Sequence, residues 1–214
     1  MKRTVITAAT LAAVAVTAGP ISNVFAADPD ARAALGAEDK AMSKGSQKEV
    51  EKTLTDVIEE VIDKDVEDTI DNFTDKDRER LGKKSEKTSV ELKALVTELK
   101  DAWKSKYGHA MDVRGAEIPY SITQEDSNKK LAVVTLPTDN RVSGLKLNLV
   151  NEGNVTNAWR IDLPDTTTNE ELKSNLTRAV RELNESRANW PANEKDAYRI
   201  VALKILGAIS GSVA

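Results

Sequence analysis

The chain has no cysteine and one histidine. With no cysteine there is no disulfide, no thiolate metal site and no acylated lipoprotein terminus. One histidine, His109, leaves zinc without its usual ligand set. A Gly-rich phosphate loop, a GxGxxG turn and a GxSxG elbow are all missing. No cofactor or metal is expected on these grounds. Positive charge is outnumbered, with 31 Lys+Arg against 35 Asp+Glu. Nucleic-acid binding needs clustered positive charge to displace counterions, so that balance argues against such a partner and against adhesion to an anionic membrane. Long apolar runs are scarce too, apart from one at the start.

That run carries the clearest signal in the sequence. Lys2 and Arg3 precede an uncharged stretch from Thr4 to Ala18, which Gly19 and Pro20 interrupt. Val24-Phe25-Ala26 places modest side chains where a signal peptidase reads, and Asp28 and Asp30 follow. This is the pattern of a cleavable export signal, residues 1–26, cut after Ala26. The run of about 15 residues is shorter than the roughly 20 needed to cross a bilayer as a helix, so no stable membrane insertion is expected after cleavage. The expected location is extracytoplasmic, periplasmic or secreted. Cleavage takes Lys2 and Arg3 and no acid, leaving the rest more acidic than the whole chain's −4.

Residues 27–47 are rich in Ala, Gly, Ser and charge and read as a flexible leader. From 48 to 214 a single α+β domain is expected: helices over 48–107, strands over 111–163 and helices over 168–209. Val50, Leu54, Val57, Val61, Val66, Ile70 and Phe73 predict one amphipathic helix from about Gln47 to Phe73. Thr74 is a candidate N-cap for a short helix over Asp75–Gly82, with Asp75 and Asp77 at its positive end. Thr88 and Glu91 have capping-box spacing ahead of Leu92, Leu95, Val96, Leu99 and Trp103. The period then falls to two. Ile118, Tyr120, Ile122; Leu131–Leu136; Leu145, Leu147, Leu149; and Trp159, Ile161, Leu163 predict four strands of an antiparallel meander. Thr168 and Glu171 open another helix, and a last one from about Ala192 to Ile209 is apolar nearly all round, as a buried helix is. N-terminal helices packed on a four-stranded antiparallel meander, followed by two C-terminal helices, is the predicted architecture.

Candidate sites are sparse. His109 follows the helix-ending Gly108, which favours a structural role over catalysis. The acid-rich stretch Asp56–Asp77 has Asp63, Asp65 and Glu67 at the one-three-five spacing of a calcium loop. Asp68 stands where that loop needs glycine and Thr74 where it needs glutamate, so the stretch reads as a solvated helix face. Trp103, Tyr107, Tyr120 and Trp159 fall on the core helix and strands. They are candidates for lining a pocket between helix and sheet, although core packing is the commoner role for such residues.

Leu131-Ala-Val-Val-Thr-Leu-Pro137, Leu145–Val150 and Asn157-Ala-Trp-Arg-Ile-Asp-Leu-Pro164, with the helices before them, resemble exported bacterial domains of the NTF2-like, cone-shaped class. The resemblance covers roughly residues 88–164. It implies a curved sheet wrapped around helices with a pocket at the wide end, and carries over no site residue. The two C-terminal helices depart from that class's usual end on a strand.

Three functional readings follow. The first is a non-catalytic binding or envelope-associated domain taking a small apolar ligand or a protein partner. The second is an NTF2-like enzyme of isomerase or hydratase type, with Asp112 and Asp162 the first acids to examine. The third is self-assembly through helix 47–73. A sheet face filled by the last helix would remove the small-ligand form of the first.

Overall fold

The computed structural model describes residues 44–63, 66–82, 90–112, 118, 120–126, 131–136, 145–153 and 159–211. The predicted export signal, its cut after Ala26, most of the predicted leader and the Thr88 cap lie outside those residues. The described elements are α1 (Lys44–Asp63), a 3-10 helix (Val66–Asn72), α2 (Asp75–Leu81), α3 (Val90–Tyr107), β1 (Ser121–Asp126), β2 (Leu131–Leu136), β3 (Leu145–Asn151), β4 (Trp159–Asp162), α4 (Asn169–Glu185), a 3-10 turn (Arg187–Asn189) and α5 (Glu194–Ile209).

The strands form one antiparallel sheet in the order β1-β2-β3-β4, the predicted meander. Cross-strand pairs Ala132↔Leu149, Val134↔Leu147 and Leu149↔Ile161 set the register. Because side chains alternate along a strand, this register gathers Ala132, Val134, Leu145, Leu147, Leu149, Trp159 and Ile161 on one buried face. Lys146, Asn148, Arg160 and Asp162 take the other face.

Helices cover the apolar face. α1 buries Val50, Leu54, Val57, Ile58, Val61 and Ile62 and packs on β4 and α5. The Thr53 hydroxyl donates to the Trp159 carbonyl at 3.1 Å, fixing α1 along β4. α5 is the innermost helix. Val201, Ala202, Ile205, Leu206 and Ile209 are all buried, and a Cβ added at Gly207 would meet Leu145 Cδ2 at 4.0 Å, an ordinary contact with β3. α4 packs outside α5 and beside α3. The contacts Arg181–Glu91, Asn184–Leu95 and Arg187–Glu98 ascend together along both helices, so α3 and α4 run parallel.

Local chemistry explains the helix starts. Thr74 Oγ1 accepts from the Asp77 backbone N–H at 3.3 Å. Thr168 and Glu171 complete a reciprocal capping box, and Asn193 caps α5 through the Lys195 N–H at 3.0 Å.

Four boundaries differ from the sequence expectation. α1 starts at Lys44, inside the stretch read as leader. The single helix expected to reach Phe73 instead ends at Asp63, and a 3-10 helix follows. Ile62, Val66, Ile70 and Phe73 keep helical steps of four, four and three, so the break is set by tertiary pairing and not by the period. The redirected backbone brings Phe73 beside β4, where it bridges Ile161 and the Thr74 N–H donates to the Ile161 carbonyl at 3.1 Å. β1 begins at Ser121 rather than near 111 or 118; Ile118 is buried ahead of it. α5 begins two residues after Ala192, because Asn193 supplies the cap.

Candidate functional site

The four aromatic residues singled out from the sequence fall into two groups. Trp103 and Tyr107 pack with their rings tilted, 4.5 Å between centroids, and Trp190 joins them 5.9 Å from Trp103, also tilted. The Tyr107 hydroxyl donates to the Pro191 carbonyl at 2.7 Å, and Lys106 Nζ donates to the Trp190 carbonyl. This cluster pins the end of α3 to the corner between α4 and α5. Tyr120 and Trp159 sit instead by the first half of α1. Burial, with Glu51 beside it, pushes the Tyr120 hydroxyl up to about 12. Trp159 is buried against the core. None of the four lines either concavity described next.

The larger concavity, about 760 Å³, is an open groove between α3 and the α4–α5 corner, bounded by Ala94, Thr97, Asp101, Ala102, Ser105 and Trp190. Along α3 its lining alternates small side chains, Ala94, Thr97, Ala102 and Ser105, with the charged Glu98, Asp101 and Lys106. Glu98 and Arg187 pair at 3.0 Å across one rim. Val90, the one large hydrophobic residue among the described ones that stands open to solvent (83% exposed), continues the same face. Steps of four, three, four and four from Val90 through Ala94, Thr97 and Asp101 to Ser105 keep one side of a helix. The stripe extends about 22 Å at 1.5 Å per residue.

The smaller concavity, about 290 Å³, lies on the polar side of β3 and β4 and includes Lys76, Lys146, Asn148, Asp162, Asp165 and Ser210. Next to it, α2 is fastened to the β4–α4 connection by a set of polar bonds. Asp77 is fully buried. Its Oδ2 accepts from the Thr74 hydroxyl at 2.7 Å and from the Leu163 N–H at 2.9 Å, while its Oδ1 pairs with Arg80. Arg80 also donates to the Thr167 carbonyl, Asn169 Nδ2 donates to the Leu81 carbonyl at 3.1 Å, and Lys76 pairs with Asp165. Burial and the neighbouring Asp77 charge hold the Asp162 carboxyl above its ordinary range.

The acids and the histidine considered for catalysis do not meet. His109 Nε2 lies 3.1 Å from Glu194 at the start of α5, and Asp112 is exposed at that same end. Asp162 shares its concavity with Ser210, just past the other end of α5. The helix between spans about 24 Å at 1.5 Å per residue, far beyond the reach of a proton relay. His109 has its ring between the Ala110 carbonyl at 2.9 Å and Glu194. Both partners accept, and the Ala110 carbonyl first, then the Glu194 charge, raise its pKa.

Sequence reasoning missed the α3 stripe and Asp77. The stripe was legible as the small residues opposite the apolar face of α3. The role of Asp77 was not, beyond the Thr-x-x-Asp spacing from Thr74. Among the described residues no group of three or more His, Cys, Asp or Glu side chains is disposed to hold a metal ion, and no described helix is long and apolar enough to cross a membrane. Comparison with family models, with curated proteins and with solved structures finds no match to this chain.

Proposed function

We propose that the chain is exported by its first 26 residues and that the folded part is a non-catalytic binding domain whose α3 groove receives an amphipathic helix of a partner protein. The observation that carries this reading is the exposed Val90 standing in line with the small lining residues Ala94, Thr97 and Ser105 of α3. Small side chains let a second backbone approach closely, and an exposed apolar residue gains from being covered. Asp101, on the same stripe and without a partner among the described residues, favours a Lys or Arg on the incoming helix. A small apolar ligand between helix and sheet fits less well, because α5 occupies that space. Self-assembly through α1 fits less well too, because its apolar face is spent on β4 and α5.

The isomerase-type reading suggested by the NTF2-like resemblance has one observation in its favour, the half-buried Asp162. The two other groups considered for that chemistry, His109 and Asp112, lie at the far end of α5 and cannot act with it.

A photo-crosslinking residue placed at Ala102 in cells of the source organism tests the binding reading. One identified partner should be captured there and not from Ser121 on β1, and Val90→Asp should abolish capture. Equal capture from both positions would overturn it. The intact mass of the recovered protein should correspond to a chain starting at Ala27, and a chain still starting at Met1 would refute export with cleavage.

A further inference from the structure

The groups around the smaller concavity divide into those already paired and those left over. Asp77 uses both carboxylate oxygens on Thr74, Leu163 and Arg80. Lys76 and Asp165 hold each other. Asp162 and Lys146 remain, and neither has a hydrogen-bond or ion-pair partner among the described residues. Asp162 is half-buried and Lys146 is exposed. Because Asn148 pairs with Asp162 across β3 and β4, Lys146 is a diagonal neighbour on the same face, a separation of about 7–8 Å with the Cβ atoms somewhat closer.

Burial and the charges of Asp77 and Asp165 disfavour the Asp162 carboxylate, and Lys76 and Arg80 offset them only in part, so an ammonium group held against its unbonded oxygens would add attraction. A bare cation would meet Lys146 at the mouth. A molecule that also carries a carboxylate would instead find a partner there. We propose that this concavity, a site distinct from the α3 groove, binds a small zwitterion of the free α-amino-acid class, with its ammonium on Asp162 and its carboxylate on Lys146. The Asn148 amide between them offers a further hydrogen bond. The volume admits an amino acid and not a folded partner.

Binding needs Asp162 ionised, so affinity rises as pH climbs past its elevated pKa. Burial first, then Asp77 and Asp165, push that value up, and Lys76 and Arg80 pull it down.

The test is backbone amide NMR of the full chain titrated separately with glycine, alanine, ethylamine and acetate to about 20 mM, enough to detect millimolar dissociation constants. Glycine or alanine should give saturable shifts at Lys146, Asn148 and Leu163, while ethylamine and acetate bind at least about tenfold more weakly, as expected when one of two charged contacts is lost. Asp162→Asn and Lys146→Met should each weaken amino-acid binding about tenfold or more and leave the remaining spectrum unchanged. Neither side chain holds the fold, so loss of binding through unfolding is separable. No saturable shift from either amino acid, equal shifts from ethylamine or acetate, or unchanged binding by Asp162→Asn would overturn the proposal. Substitutions in the α3 groove should leave this binding untouched.

Discussion

Replacing Asp77 by alanine removes the centre of the bonds that hold α2 in place. α2 buries one apolar side chain, Leu81, so hydrophobic burial contributes about 1.5–3 kcal/mol there and the rest is polar. The substitution deletes the acceptor of the Leu163 N–H and the Thr74 hydroxyl and leaves the Arg80 guanidinium without its carboxylate. Breaking a buried pair from one side costs about 3–5 kcal/mol. The Arg80 side chain is 24% exposed, so water recovers part of that, and the expected loss is about 3 kcal/mol. For a domain of this size, that lowers Tm by roughly 6–12 °C. Urea unfolding should show a lower midpoint with an unchanged m-value. Adding Arg80→Met to Asp77→Ala should restore about 1–2 kcal/mol, because the stranded cation is gone. Hydrogen exchange should rise first across 75–81, reporting local opening of α2. A loss below about 1 kcal/mol, the range of an ordinary surface substitution, or strict additivity in the double variant, would refute the reasoning.

Two further outcomes follow from the packing and charge. Gly207 sits inside α5, and its added Cβ would meet only Leu145 at an ordinary 4.0 Å, so Gly207→Ala should raise stability by about 0.5–1 kcal/mol through helix propensity; thermal unfolding measures it, and a lower Tm would show the α5–sheet interface to be tighter than described. His109 should titrate above 6.5 by NMR, and Glu194→Gln should lower that value. Its folded-state pKa is raised, so any stability it contributes is complete below pH 6.5 and is lost as pH rises through the folded value; a His109 pKa at or below 6.5 would contradict the geometry.

The strands and most helices were legible because their signals are local. Leu145, Leu147 and Leu149 alternate within one strand, and Leu172, Leu176, Val180 and Leu183 recur within one helix, so neighbours in sequence reveal which side is buried. Thr168 and Glu171 likewise interact across three residues. The break after Asp63 was less legible, since Ile70 and Phe73 prolong an apparently continuous period that sheet-edge pairing with Ile161 overrides. The candidate sites were hardly legible. Trp103 and Tyr107 read as pocket residues because large aromatics suit both roles. Only the arrival of Trp190, distant in the chain, committed them to a structural cluster.

The sequence by itself determined the alternation that makes a one-sided sheet, the caps at Thr74 and Thr168, and the all-round apolar α5 that had to be interior. Tertiary structure alone decided what Asp77 does, because its partner Leu163 lies 86 residues away, and which acid stands near which base, because α5 separates Asp162 from His109. Periodicity reports forces between residues a few positions apart, whereas a buried charge and a binding concavity depend on distances that exist only once the chain has closed on itself.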